Sequence, residues 1–187
     1  MSIENDFDYG PLTGLIGVWR GDKGIDISPE PDDIERNPFY ETITFTAAGD
    51  VDNAEKQNLT ILAYHQQVYR KSNDLQFHDQ VGYFTWDSAM GIVTHSFVIP
   101  RGVAVVAGGK VTESNGDELQ IQLAAADGDT DWNIAQSPFM RDNARTVSFS
   151  QHLTLEGDTL SYEQTTVLDI YGRTFNHIDK STLQRAS

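Results

Sequence analysis

Five histidines and no cysteine are available for metal or acid–base chemistry in this chain: His65, His78, His95, His152 and His177. Without cysteine there is no disulfide, thiolate metal site or cysteine nucleophile, so a metal must be held by imidazole, by carboxylate or through a cofactor. His177 lies two residues before Asp179 in the closing run FNHIDKSTLQR, residues 175–185. Phe175, His177, Asp179, Ser181, Leu183 and Arg185 share one parity, so a strand that buries Phe175 and Leu183 also turns His177 and Asp179 inward. Two readings of the pair are open. It is either a satisfied buried His–Asp hydrogen bond, or an imidazole at the mouth of a cavity, placed to coordinate something inside it.

The other candidates are less sharply placed. His78 sits among aromatics in LQFHDQVGYFTWD, with cavity and non-cavity orientations about equally supported. His95 shares parity with Phe97, Ile99 and Arg101 in a strand whose two faces are both apolar, which leaves its direction open. Arg101, between Pro100 and Gly102, belongs at a bend, where its charge either caps an anionic ligand or faces water. His65 and His152 have polar neighbours and are expected to face solvent. There is no glycine-rich phosphate loop, no nucleophile elbow and no His-x-x-x-His pair. The NLT triplet at 58–60 carries no weight without a secretory signal, and PEPDDIE reads as a solvated loop.

These residues need a β scaffold. From Phe39 onward, β-branched and aromatic runs recur between turn signals: FYETITF, LTILAYHQQVYR, FHDQVGYFTWD, GIVTHSFVI, GVAVVAGGKVT, ELQIQLAA, RTVSFSQHLTL and TLSYEQTTVLDIY. With GLIGVWRG before them and the 175–185 segment after them, about ten strands emerge, enough for an antiparallel sheet to close on itself. The expected fold is all-β: a single up-and-down β-barrel in one domain, 1–187, with its core at about 11–185 and a short helical turn near the start. AAGD, WDSAMG, ESNGDE and LEGDT read as hairpin turns. Two connections read as longer loops, ISPEPDDIERNP after the first strand and DGDTDWNIAQSPFMRDNA (127–144) before the eighth. Gly17 and Trp19 open the first strand, where the indole plugs one end of the barrel. Arg185 near the end of the last strand is positioned to lie over that indole if first and last strands are neighbours.

Twenty-eight acidic residues against thirteen basic ones leave a formal charge of −15, which repels nucleic-acid phosphates and anionic lipid surfaces. No signal peptide or transmembrane run is visible, so a cytoplasmic protein with neither nucleic-acid nor membrane partner is expected. Oligomeric state is left open, a homodimer included.

With these residues assembled, the sequence resembles the nitrobindin family, haem-binding β-barrels also found as the C-terminal domain of a human THAP-type protein. The resemblance rests on LIGVWRG near the start, FYETITF, LAYHQQVYR, FHDQVGYFTWD, GDTLSYEQTTV and a histidine about ten residues from the end, and it covers nearly the whole chain. It implies a ten-stranded barrel holding ferric haem b at its mouth, with His177 as proximal iron ligand and His78 lining the pocket. It also implies binding of nitric oxide and, if the chain is an enzyme, haem-dependent isomerisation of peroxynitrite to nitrate. The family's Gly-rich continuation after the tryptophan is replaced here by the more acidic GDKGIDISPEPDD, and Arg101 brings a charge where an uncharged pocket is expected. An Arg101–His177–Asp179 cluster would instead suit a haem-free carrier or sensor of an apolar or anionic small molecule.

Overall fold

The computed structural model describes residues 7–51, 57–115 and 118–186. A 3₁₀ turn over Gly10–Leu15 precedes eleven strands: β1 (Gly17–Pro29), β2 (Ile34–Val51), β3 (Leu59–Arg70), β4 (Gln76–Asp87), β5 (Ile92–Ile99), β6 (Val103–Asn115), β7 (Glu118–Ala126), β8 (Ile134–Gln136), β9 (Ala144–Glu156), β10 (Thr159–Ile170) and β11 (Arg173–Arg185). A short helix, α1 (Pro138–Asn143), lies between β8 and β9. All strands belong to one antiparallel sheet in the order β5-β4-β3-β2-β1-β11-β10-β9-β7-β6, which the β5–β6 pairing closes into a barrel. β7 covers β6 from Gly108 to Asn115, and β8 covers it from Val103 to Val105. The two therefore act as one interrupted stave, and the wall is ten strands around.

One end is plugged as the sequence led us to expect. Leu12 and Leu15 of the 3₁₀ turn are fully buried beneath Trp19, whose indole N–H donates to the Leu15 carbonyl at 2.7 Å. Trp19 pairs with Arg185 across β1–β11, and the guanidinium lies 4.2 Å from the ring centroid while donating to the carbonyls of Gly14 and Ile16. Gly17, at φ +133°, turns the chain into β1 beneath that guanidinium, which stands 3.1 Å from where a Cβ would project. Arg185→Ala removes the cation–π contact and both charged hydrogen bonds. It is expected to cost about 2–4 kcal/mol, read as a lower urea midpoint with an unchanged m-value.

Three segments differ from the sequence expectation. ISPEPDDIERNP is not a long loop, because β1 runs to Pro29 and β2 starts at Ile34, leaving a short hairpin. AAGD is a bulge inside β2 rather than a turn, with Gly49 at φ +84° and a register shift between Ala47 and Asp50. The turn that follows it, and the tip of ESNGDE, fall on residues outside those described. The 127–144 insertion holds β8 and α1, which seat Ile134 and Met140 in the core.

A fourth feature decides the site. Between Gly21, opposite Glu41, and Gly24, opposite Phe39, β1 carries one residue more than β2. This bulge reverses the parity of β1, so Asp26, which simple alternation from Trp19 would turn outward, points into the barrel. Gly24 is required there, since a Cβ would lie 2.0 Å from the Phe39 ring.

Inside, the half nearer Trp19 is apolar, with Phe45, Leu62, Phe84, Ile121, Leu155 and Leu183 among its fully or nearly fully buried side chains. Toward the β1–β2, β3–β4 and β10–β11 hairpins the interior turns polar: Asp26, Asn37, Glu41, Gln66, Gln80 and Gln151 are all buried. Among the described residues, no helix is long and apolar enough to cross a membrane.

Candidate functional site

His177 enters the polar end from β11, between Asp26 on β1 and the β10 strand, where Thr166 is its cross-strand partner. The inward parity read from the sequence holds. The imidazole's main partner, however, is not Asp179. Its Nε2 lies 2.5 Å from Asp26 Oδ1 and 3.7 Å from the nearer Asp179 oxygen. Asp26 is in turn fixed through its other oxygen, which accepts from Ser28 Oγ and Asn37 Nδ2 at 3.0 Å each. The Asp26 side chain is 4% exposed and that of His177 28%, so the carboxylate is walled in and the imidazole is reachable from the mouth.

The electrostatics follow from that packing. Burial alone would raise the Asp26 carboxyl, but hydrogen bonds from His177, Asn37 and Ser28 hold it below the ordinary carboxylate range. Burial pulls the His177 imidazole down, yet the bond to Asp26 and the charges of Asp179 and Asp26 leave it above its usual value. Burial pushes Asp179 up to about 7, against the attraction of His177 and assisted by the charge of Asp26. His177 thus holds its proton more tightly than a free imidazole, facing Asp26, which gives up its proton more readily than a free carboxyl, while Asp179 beside them holds its own more tightly.

His78 reaches the same end from β4. Its Nε2 lies 3.2 Å from Gln80 Oε1, and Gln80 donates to the Tyr64 hydroxyl in a short hydrogen bond. Burial lowers the His78 imidazole and the His177 charge lowers it further, against the raising effect of Gln80, so His78 is neutral. Above these groups Arg70 lies 4.8 Å from the Phe77 ring, and its buried Nε has no hydrogen-bond partner among the described residues. Phe77 meets Phe39 edge-on at 6.3 Å. Arg173 lies over Phe175 at 5.7 Å, but its guanidinium is already engaged by the carbonyls of Glu30 and Asp33, which tie the β10–β11 and β1–β2 hairpins together.

Below the mouth, Glu41 accepts from Gln66 at 2.7 Å and from the Tyr162 hydroxyl at 3.1 Å, and burial raises its carboxyl. His95 lies deeper still. Its inward orientation is now plain: the ring stacks on Phe84 at 4.0 Å with Tyr64 and Phe97 around it. Neither ring nitrogen has a hydrogen-bond partner among the described residues, and burial, against the raising effect of the nearby Gln151 side chain, drives its value down to about 3. It is a neutral core residue.

Arg101 is a different case. It occupies the exposed β5–β6 turn, where its carbonyl accepts from Ser137 Oγ, and its side chain has no hydrogen bond or ion pair among the described residues. The Arg101–His177–Asp179 cluster is not formed; Asp26 holds the place by His177 that the cluster assigned to a cation. His65 pairs with Asp79 at 3.2 Å on the outer surface and His152 is exposed, as expected. Asp26 and Arg70 escaped sequence reasoning. The signal for Asp26 was the Gly21–Gly24 spacing that hosts the bulge. Arg70 ends a strand whose inward residues, Gln66 and Val68, are interleaved with equally polar outward ones.

Donor atoms of Asp26, His177 and Asp179 lie within 4.8 Å of one another, the span of a divalent-cation site. Two ligands of one small ion at ordinary bond lengths stand about 2.9 Å apart or more, so the His177–Asp26 contact is that of a shared proton.

The comparisons with known proteins agree with this barrel. Residues 8–185 match the family model described as a THAP4-like, heme-binding beta-barrel domain. The fold is similar to the crystal structure of Rv2717c from M. tuberculosis, with a TM-score of 0.73 and 20% identity over 96% of this chain and 100% of that one. Among curated proteins there is no significant match.

Proposed function

The chain belongs to the THAP4-like haem-binding β-barrel family, the nitrobindins, and on that basis we propose that it holds ferric haem b at the polar end of its barrel with His177 as the axial ligand. The observation that carries this is the placement of His177: an inward imidazole on the last strand, four residues from the β10–β11 hairpin and reachable from the mouth. The donor set suits the group. Arg70 offers an unpartnered, buried guanidinium nitrogen to a propionate carboxylate, and Phe39, Phe77 and Phe175 supply apolar ring faces beside it.

Haem held there would supply the iron chemistry for binding nitric oxide and isomerising peroxynitrite to nitrate, the activity we propose for this chain. The chain's own residues bind, orient and exclude. Neutral His78, anchored by Gln80, lines the pocket without adding charge. The Glu41–Gln66–Tyr162 cluster floors the mouth with side chains already satisfied by one another, which leaves them unavailable as ligands to an entering group. The insertion with β8 and α1 closes the neighbouring stretch of wall, where Gln136 clamps the Thr146 backbone through both its amide nitrogen and its carbonyl oxygen.

The test is a hemin titration of the purified apo-protein followed at the Soret band. Saturation at about one haem per chain is expected. A titration with no saturation, or one that only tracks hemin in buffer, overturns the reading.

A further inference from the structure

We propose that Asp26 is the residue that sets haem affinity in this chain, because it holds the one His177 nitrogen an axial bond needs. The inference rests on His177 being the ligand, and it concerns what that ligand must give up.

An imidazole Nε2 has a single in-plane direction for bonding. It either carries a proton toward a hydrogen-bond acceptor or presents a lone pair to a metal, never both. In this structure the direction is taken, with Nε2 at 2.5 Å from Asp26 Oδ1. Nor is Asp26 free to withdraw. Its second oxygen accepts from Asn37 and Ser28, it is buried, and the bulge between Gly21 and Gly24 aims it inward with the Phe39 ring packed where a Gly24 Cβ would be. Haem therefore competes with a fixed, charged acceptor for His177, and the ring must turn from Asp26 before iron is bound. Asp26 is a positioning residue: it meets the imidazole, not the haem. Its effect is selective, since it weakens only those ligands that need the Nε2 lone pair, while an anionic group at Arg70 is untouched.

The experiment compares the full-length apo-protein with Asp26→Ala, Asp26→Asn and the double variant Asp26→Ala/His177→Ala at one fixed pH. Hemin affinity is read from the Soret titration, haem retention from transfer to apomyoglobin, and apo-protein stability from urea unfolding. Asp26→Ala is expected to bind hemin at least about tenfold more tightly and release it more slowly, while its apo form is less stable. A merely structural aspartate would lower both quantities, so the opposite signs are the diagnostic. The gain should vanish in the double variant. Asp26→Asn, which keeps the side-chain size and loses the charge, should show a smaller gain, and it carries the test if the alanine variant does not fold.

Equal or weaker hemin binding in Asp26→Ala than in the wild type overturns the inference while leaving His177 as ligand intact. Absence of saturable binding in every variant overturns the His177 reading as well. Binding that appears only once Asp26 is replaced overturns the reading of the wild-type chain as a haem protein and leaves Asp26 as the residue that keeps His177 from iron.

Discussion

Acidification from about pH 7 to about pH 4 is expected to remove about 3 kcal/mol of this barrel's stability through His95 alone, and His95→Phe is expected to abolish that share of the loss. The ring lies between Phe84, Phe97 and Tyr64, 1% exposed, with neither nitrogen hydrogen-bonded among the described residues. Burial opposes charging it there more strongly than the neighbouring Gln151 side chain favours it, which is why its value falls from 6.5 to about 3. The unfolded chain takes up a proton near pH 6.5 and the folded one does not. The stabilisation is therefore fully present above the unfolded value and is lost progressively as pH falls toward the folded value. Phenylalanine preserves the aromatic stack and deletes the two unpartnered nitrogens, so at neutral pH the variant should be as stable as the wild type or more so. Urea unfolding of both proteins at the two pH values checks this. Parallel losses in wild type and variant would show that other groups carry the acid sensitivity.

The second large effect concerns the cofactor. His177→Ala is expected to weaken hemin binding by about a hundredfold or more and to remove the spectral signature of an axial imidazole. His78, on β4 with its Nε2 3.2 Å from Gln80 Oε1, is the other imidazole at this end, so His78→Ala is measured in parallel. His177→Ala also leaves Asp26 buried without its partner, so reduced stability is expected in parallel and has to be separated from loss of the ligand. Added imidazole makes that separation. Restoration of the axial spectrum by free imidazole in His177→Ala assigns the role of ligand. A Soret band unchanged by the mutation, together with its loss in His78→Ala, would move the axial bond to β4.

Much of the architecture was readable because period-two patterning and turn residues are local. The strand count, the antiparallel meander, the Trp19–Arg185 plug and the inward face of His177 all follow from alternation within single segments. What alternation cannot see is a change of phase. The residue inserted between Gly21 and Gly24 turns Asp26 from the outward face that alternation from Trp19 gives it to the inward one beside His177, and ISPEPDDIERNP, read as a longer loop, is mostly strand. Polar pairs hide direction in the same way: in AYHQQVYR, Gln66 faces in and Gln67 out, with nothing in their chemistry to tell them apart. Arg101 stands at the β5–β6 bend, as read, with its side chain making no hydrogen bond or ion pair with His177 or Asp179. A cation next to a proline and a glycine marks a bend, but whether that bend faces the mouth depends on the strand lengths on either side.

The neighbours β1 and β11 also bear on how the protein is made. The strand that seals the wall is the last of the barrel to be synthesised, so through nearly the whole of translation the edge of β1 that faces away from β2 has no partner. His177 and Asp26 on one side, and Arg185 and Trp19 on the other, complete their contacts only as the last strand emerges from the ribosome. Long-range pairing of this kind is slow, and the waiting edges are sites for unwanted strand addition. Closure of the wall is accordingly the last step of assembly, and the edge of β1 stays available for pairing until β11 reaches it.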